Sequence, residues 1–112
     1  LIYADEEYEV AKDRKTSVQT LIQLAKIGKD IVFISIPGEL FVEFGLQIKA
    51  LATKMGYRST FVSTYSEDYV GYIPDKMAFK IHSYEATLAR WSRLTPEAGS
   101  SIMRELTNSL KQ

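Results

Sequence analysis

Asp30-Ile31-Val32-Phe33-Ile34-Ser35-Ile36-Pro37-Gly38-Glu39 is the stretch whose reading decides how this chain folds. A short apolar run so rich in β-branched residues reads as a strand, and as one covered on both faces. Pro37 and Gly38 end it, because proline brings no N–H to a ladder and glycine accepts backbone angles that other residues avoid. Beyond them Leu40, Phe41, Phe44, Leu46, Ile48, Leu51, Ala52 and Met55 mark the wide apolar face of a helix. That helix should run to about Gly56, since glycine is favoured just past a helix C-terminus. Arg58-Ser59-Thr60-Phe61-Val62-Ser63-Thr64 then reads as a second strand. Strand, helix and strand form one βαβ unit with two parallel strands, and the crossover of such a unit is nearly always right-handed. The carboxyl ends of both strands open on one edge of the sheet, the usual place for ligands in open α/β folds. Glu39 follows the first strand, and Ser66-Glu67-Asp68-Tyr69-Val70-Gly71-Tyr72-Ile73-Pro74 follows the second. Topology alone therefore predicts that Glu39 and this tyrosine-rich loop are neighbours.

Upstream of the strand, Gly28-Lys29 reads as a tight turn. Ser17 to Ile27 fits both a helical stripe (Val18, Leu21, Ile22, Ala25) and a strand face (Val18, Thr20, Ile22, Leu24). The turn favours a strand and hence a β-hairpin. Residues 1–16 form a charged N-terminal segment in which Asp5, Glu6, Glu7 and Glu9 precede Lys12, Arg14 and Lys15. That order complements a helix dipole, so a short solvated helix without chemistry of its own is expected. Downstream, Pro74 should open a short helical turn over 75–80, and 83–88 is extended or irregular. Thr95-Pro96-Glu97 predicts a helix start, with Thr95 as hydroxyl cap. Ala98, Ile102, Met103, Leu106 and Leu110 then line one face of the last helix. The fold class is α/β: a β-hairpin plus a βαβ unit giving a small mixed sheet with helices packed on it. The 112 residues read as a single domain.

Composition narrows the function. Fourteen basic and fourteen acidic residues leave a formal net charge of zero, no electrostatic footprint for nucleic acid or an anionic membrane. Without cysteine there is no disulfide and no thiolate metal site. The longest apolar run falls well short of the ~20 residues a bilayer-spanning helix needs, and the chain reads as soluble. It starts at Leu1 rather than methionine and has one histidine, His82. We therefore expect a fragment of a larger α/β domain, whose apolar contact surface should promote self-association. A metal centre built on imidazoles would need ligands from elsewhere.

Ile36-Pro37-Gly38-Glu39-Leu40-Phe41-Val42-Glu43-Phe44-Gly45-Leu46-Gln47-Ile48-Lys49, Tyr69-Val70-Gly71-Tyr72-Ile73-Pro74, Ser83-Tyr84-Glu85-Ala86 and Arg93-Leu94-Thr95-Pro96-Glu97-Ala98-Gly99 occur in this order. Together they resemble the last part of the catalytic domain of neutral/alkaline, non-lysosomal ceramidases, most closely the bacterial ceramidase-like relatives. The resemblance covers the chain from about Val18 to its end. It implies a zinc amidohydrolase that cleaves the amide of ceramide to sphingosine and a fatty acid. In that family two upstream histidines, a glutamate and a tyrosine hold the zinc. Carried onto this sequence, the glutamate falls on Glu39 and the tyrosine on Tyr72. A catalytic zinc takes oxygen or nitrogen ligands and leaves one position open, and a phenol with a free pKa of about 10 would need the cation nearby to ionise. The histidine half of the site is absent, so the chain alone is expected to hold zinc weakly and to carry no catalytic residue of its own. The family's usual asparagine is also replaced around Ser66-Glu67-Asp68. The resemblance further implies the remainder of the parent domain as a partner and a lipid-like amide as substrate.

Each of these residues also has a plainer reading. Glu39 alone would be a first-turn helix acid, and Tyr72 a half-buried aromatic with a bonded hydroxyl. Tyr57, Phe61, Tyr65 and Tyr69 read as core packing rather than as a lipid groove, and Glu43, Glu67 and Asp68 as solvated. His82 and Trp91 read as packing residues, and Gly45 as the point where helix and sheet approach closely. A non-catalytic structural or interaction module on the same scaffold remains the alternative function.

Overall fold

The chain reverses at Gly28, whose φ of 61° lies in the left-handed region that glycine enters without a Cβ clash. The computed structural model describes residues 2–13 and 17–112, so the sequence readings at Leu1 and at 14–16 lie outside the described residues. In chain order the elements are α1 (Ile2–Lys12), β1 (Gln23–Ile27), β2 (Ile31–Ser35), β3 (Glu39–Leu40) and α2 (Val42–Lys54). They continue with β4 (Ser59–Ser63), β5 (Tyr72–Ile73), α3 (Lys76–Lys80), a 3-10 turn (Tyr84–Ala86) and α4 (Ala98–Lys111).

β1, β2 and β4 form one mixed sheet in that order. β1 runs antiparallel to β2, with Ile27 opposite Ile31 across the turn, and is confined to the last five residues of the ambiguous 17–27 stretch. β2 and β4 are parallel, from Ile31 opposite Ser59 to Ser35 opposite Ser63, and α2 makes the crossover. Gly56, at φ 99°, ends α2 while the Tyr57 N–H turns back to the Ala52 carbonyl.

The core lies on one face of this sheet. Val32, Ile34 and Ile36 meet Ile48 and Ala52 of α2, Leu106 and Leu110 of α4, and Ile73, all buried. Gly99 brings α4 onto α2 so closely that a methyl group there would enter the Phe44 ring. Both helices cover the same face, so the expectation that β2 is covered on both sides fails. Phe33 is 41 % exposed on the opposite face, stacked on Phe61 at 4.6 Å between ring centroids. β-branched residues raise strand propensity whether or not a second layer exists, which is why the sequence could not distinguish the two cases.

Other expectations are also corrected. α1 forms as expected and is largely exposed, with one buried side chain among its described residues. Glu6 is buried and accepts hydrogen bonds from the Arg90 backbone N–H (3.1 Å), Nε (2.9 Å) and Nη2 (2.7 Å). Asp13, just past α1, pairs with Arg93. α2 begins two residues later than the Leu40 start suggested, because Glu39 and Leu40 are drawn into β3. α3 is capped by the Asp75 carboxylate, which accepts from the Ala78 N–H. α4 begins after Glu97 with no side-chain cap, so Thr95 contributes its carbonyl to the preceding turn instead. A Cβ at Gly45 would meet nothing within 4 Å, so that glycine does not mediate close packing. His82 and Trp91 are exposed, as are Phe61, Tyr65 and Tyr69; of the four aromatics assigned to packing, Tyr57 alone lies against the core.

Candidate functional site

Backbone hydrogen bonds staple the segment after β2 to the end of β4 and the segment beyond it. Ile36 N–H donates to Ser63 O (2.8 Å), Tyr65 N–H to Gly38 O (3.2 Å) and Ser66 N–H to Ile36 O (3.1 Å). Val70 N–H reaches Pro37 O (2.8 Å), and Glu39 N–H reaches Gly71 O (2.9 Å). The Pro37-Gly38 turn is buried, and a Cβ on Gly38 would press into the Gly71 carbonyl at 2.5 Å, so only glycine permits this approach. β3 and β5 then pair in parallel as a separate two-stranded sheet, with Glu39 opposite Tyr72 and Leu40 opposite Ile73. Residues directly opposite each other in a ladder share a face. Glu39 is thus a strand residue and not a first-turn helix acid.

Three phenols, those of Tyr65, Tyr69 and Tyr72, act on this carboxylate. The Tyr69 hydroxyl donates to Glu39 Oε1 at 2.6 Å, within the range of a charge-assisted bond. Tyr65 stacks on Tyr69 at 6.0 Å between ring centroids. Its φ of 55° is left-handed, an outlier for a bulky side chain that the stapled loop imposes. The Tyr72 ring meets that of Tyr84 edge-on at 5.6 Å. Tyr3 of α1 contacts Tyr84 edge-on from the other side at 5.8 Å.

These contacts set the charge of the site. Partial burial pushes the Glu39 carboxyl upward, but hydrogen bonds from Tyr65, Tyr69 and Tyr72 together outweigh it and hold the group below its ordinary value. The bond to Glu39, followed by burial, pushes the Tyr69 hydroxyl up to about 12. Tyr72 is raised by its bond to Tyr84, then by burial and by the Glu39 charge. At neutral pH the site is one carboxylate held by protonated phenols.

The sequence brought Glu39, Tyr72 and the loop carrying Tyr69 to one rim, and there the structure puts them. It did not assign Tyr65, Tyr69 or Tyr84 to Glu39, and nothing in the sequence signals Tyr3. Glu67 and Asp68 are exposed as expected, and Asp68 accepts from Thr20 Oγ1 at 2.9 Å. A cleft of about 430 Å³ lined by Val18, Val70, Trp91 and Leu94 lies alongside and shares Tyr69 with the cluster.

As a metal donor set, a carboxylate and a phenol on one rim suit a hard or borderline cation, but they are two of the four ligands that zinc takes. No group of three His, Cys, Asp or Glu among the described residues could complete it. The residues present therefore fit half of such a site.

No protein-family model matches the chain, and no curated protein matches its sequence. Two solved structures share its fold. One, described as a ceramidase complexed with C2, has a TM-score of 0.66 at 20 % identity. The other, the neutral ceramidase from Pseudomonas aeruginosa, has a TM-score of 0.67 at 19 % identity. Each comparison covers 80 % of this chain and 14 % of the other. The chain thus has a ceramidase-like fold and spans about one-seventh of the proteins it matches.

Proposed function

We propose that this chain is the C-terminal part of the catalytic domain of a ceramidase-like, zinc-dependent amidohydrolase that acts on N-acylsphingosine-type amides. The observation that carries this reading is the β3–β5 register, which sets Glu39 opposite Tyr72 on one rim. Glu39 and Tyr72 would hold one side of the zinc, and the remaining ligands would come from the rest of the parent domain. The metal, once bound, supplies Lewis-acid polarisation of the scissile carbonyl. This chain's own residues orient the donors: the Tyr69 hydroxyl holds the Glu39 carboxylate, and the Tyr84 ring packs edge-on against Tyr72. For Tyr72 to serve as a ligand its proton must leave, and the present hydrogen bonds oppose that.

The test is amide hydrolysis by the intact parent, with release of a labelled fatty acid as the readout. Glu39→Gln and Tyr72→Phe should each lower kcat/KM by about 100-fold or more, a loss typical of removing a group from the reacting centre. Circular dichroism should be unchanged. Wild-type rates in both variants would defeat the proposal. A second reading, a non-catalytic module on the same scaffold, draws on one observation: the Glu39 carboxylate already accepts a short hydrogen bond from the Tyr69 hydroxyl of this same chain. A parent lacking both bound zinc and amidase activity would establish it.

A further inference from the structure

Strand alternation leaves one face of the β1–β2–β4 sheet without charge. Residues in register share a face, so the face opposite α2 and α4 is built in rows. Its middle row is Ala25, Phe33 and Phe61, flanked on one side by Ile27, Ile31 and Ser59 and on the other by Gln23, Ser35 and Ser63. None of these side chains is charged. Lys29, Asp30 and Arg58 lie in the turn before β2 and just before β4, at the end of the sheet away from Glu39. Lys26 belongs to the inner face, where its ammonium reaches Ser109 O on α4. The outer face is open in this chain: Ile27, Phe33 and Phe61 are 58, 41 and 52 % exposed.

A parallel pair such as β2–β4 is normally covered on both faces, and α2 and α4 already fill the inner one. Under the proposed function, the segments that bring the other zinc ligands must reach the carboxyl ends of β2 and β4, where Ser35 and Ser63 close the last outer row. With the inner face filled, the outer face is the broad surface of the sheet still open to them. The present chain spans 14 % of each ceramidase whose fold it shares, which leaves ample length for a further layer. A second copy of the chain would have to bind from solution, whereas the rest of the same polypeptide is held nearby at an effective concentration on the order of millimolar.

We infer that this uncharged face is an internal surface of the parent domain, covered by an apolar layer from the part of the parent that supplies the other zinc ligands. The inference rests on the proposed function and adds to it the surface on which the two parts of the domain meet. The layer seats on the Phe33–Phe61 stack, whose rings lie 4.6 Å apart and 12° from parallel. The small Ala25 beside Phe33 leaves room there for a large apolar side chain of that layer. Such a cover also accounts for the unbroken apolar run Ile31-Val32-Phe33-Ile34, which a strand with one wet face does not need.

Hydroxyl-radical footprinting of Phe33 and Phe61 in the 112-residue chain and in the intact parent tests this, with amide hydrolysis measured on the same parent preparation. Both rings should be labelled in the chain, to the same extent at every concentration, and should lose that labelling in the parent. Phe61→Lys should lower the thermal midpoint of the parent much more than that of the chain, because the ammonium is solvated in one and buried in the other. Phe61→Leu should keep the parent close to wild type. Protection in a parent without amidase activity upholds the covered face and defeats the proposed function. Rings labelled equally in parent and chain overturn the inference, and with amidase activity intact they leave the proposed function standing. Protection that grows with concentration in the isolated chain assigns the face to a second copy and overturns the inference as well, as does an equal shift of the two midpoints by Phe61→Lys.

Discussion

Glu39 shows how the meaning of one residue depends on what is folded against it. As an isolated acid before a helix it would do no more than complement the helix dipole, an effect of about 0.3–1 kcal/mol. Instead it pairs across a ladder with Tyr72 and accepts from Tyr69 at 2.6 Å. Tyr69→Phe removes the phenol that donates to Glu39 at 2.6 Å, so the Glu39 carboxyl should rise toward its ordinary value, observable by carbon NMR of the side-chain carboxyl. The sign follows from the direction of the shift. A carboxyl depressed on folding contributes stability above its unfolded pKa and loses it as pH falls through the folded value. The variant should therefore be less stable by about 1 kcal/mol at neutral pH and less sensitive to acid, because Tyr69 is partly exposed and its bond is weakened by solvent. An unchanged Glu39 titration would show that the bond does not form in solution.

At the level of elements, two attachments stand out. α1 is tied down by Glu6, a buried acid that Arg90 holds at about 2, through its side-chain and backbone hydrogen bonds and then its charge. The contribution of this pair is complete above the ordinary carboxylate range near pH 4.5 and disappears as pH falls through about 2. Acid should accordingly release α1, seen as faster amide exchange over 2–12, while Glu6→Gln should release it at neutral pH and abolish that acid dependence. Equal protection of α1 in wild type and variant at pH 7 would argue against the attachment. The second attachment is the contact of α4 with α2. Because a Cβ at Gly99 meets the Phe44 ring, Gly99→Ala should destabilise the fold by about 1–3 kcal/mol through overpacking, despite alanine's better helix propensity. A raised thermal midpoint would mean that the ring moves aside without cost. Apolar spacing announced α4 but not this contact, because spacing does not tell which glycine meets which ring.

For the whole molecule, the parallel arrangement of β2 and β4 governs where Glu39 and Tyr72 lie, and under the proposed function they are two of the four ligands of a zinc. Two oxygen ligands rarely hold zinc, so metal analysis after dialysis should find well below one zinc per 112-residue chain; a stoichiometric, tightly held ion would contradict the half-site. What the sequence determined is the part of the fold written in local chemistry. β-branched runs make strands, Gly28 and Gly56 make turns and stops, and apolar spacing makes α2 and α4. One right-handed crossover then leaves few ways to place Glu39 other than near the 66–74 loop. What only the tertiary structure decided are the terms that depend on distant partners. These are the face of β2 left open, the rescue of buried Glu6 by a residue near the other end of the chain, and the choice of phenols at Glu39. Pattern along a chain records how apolar each position is, whereas a hydrogen bond or a free edge exists only once two remote segments lie side by side or fail to.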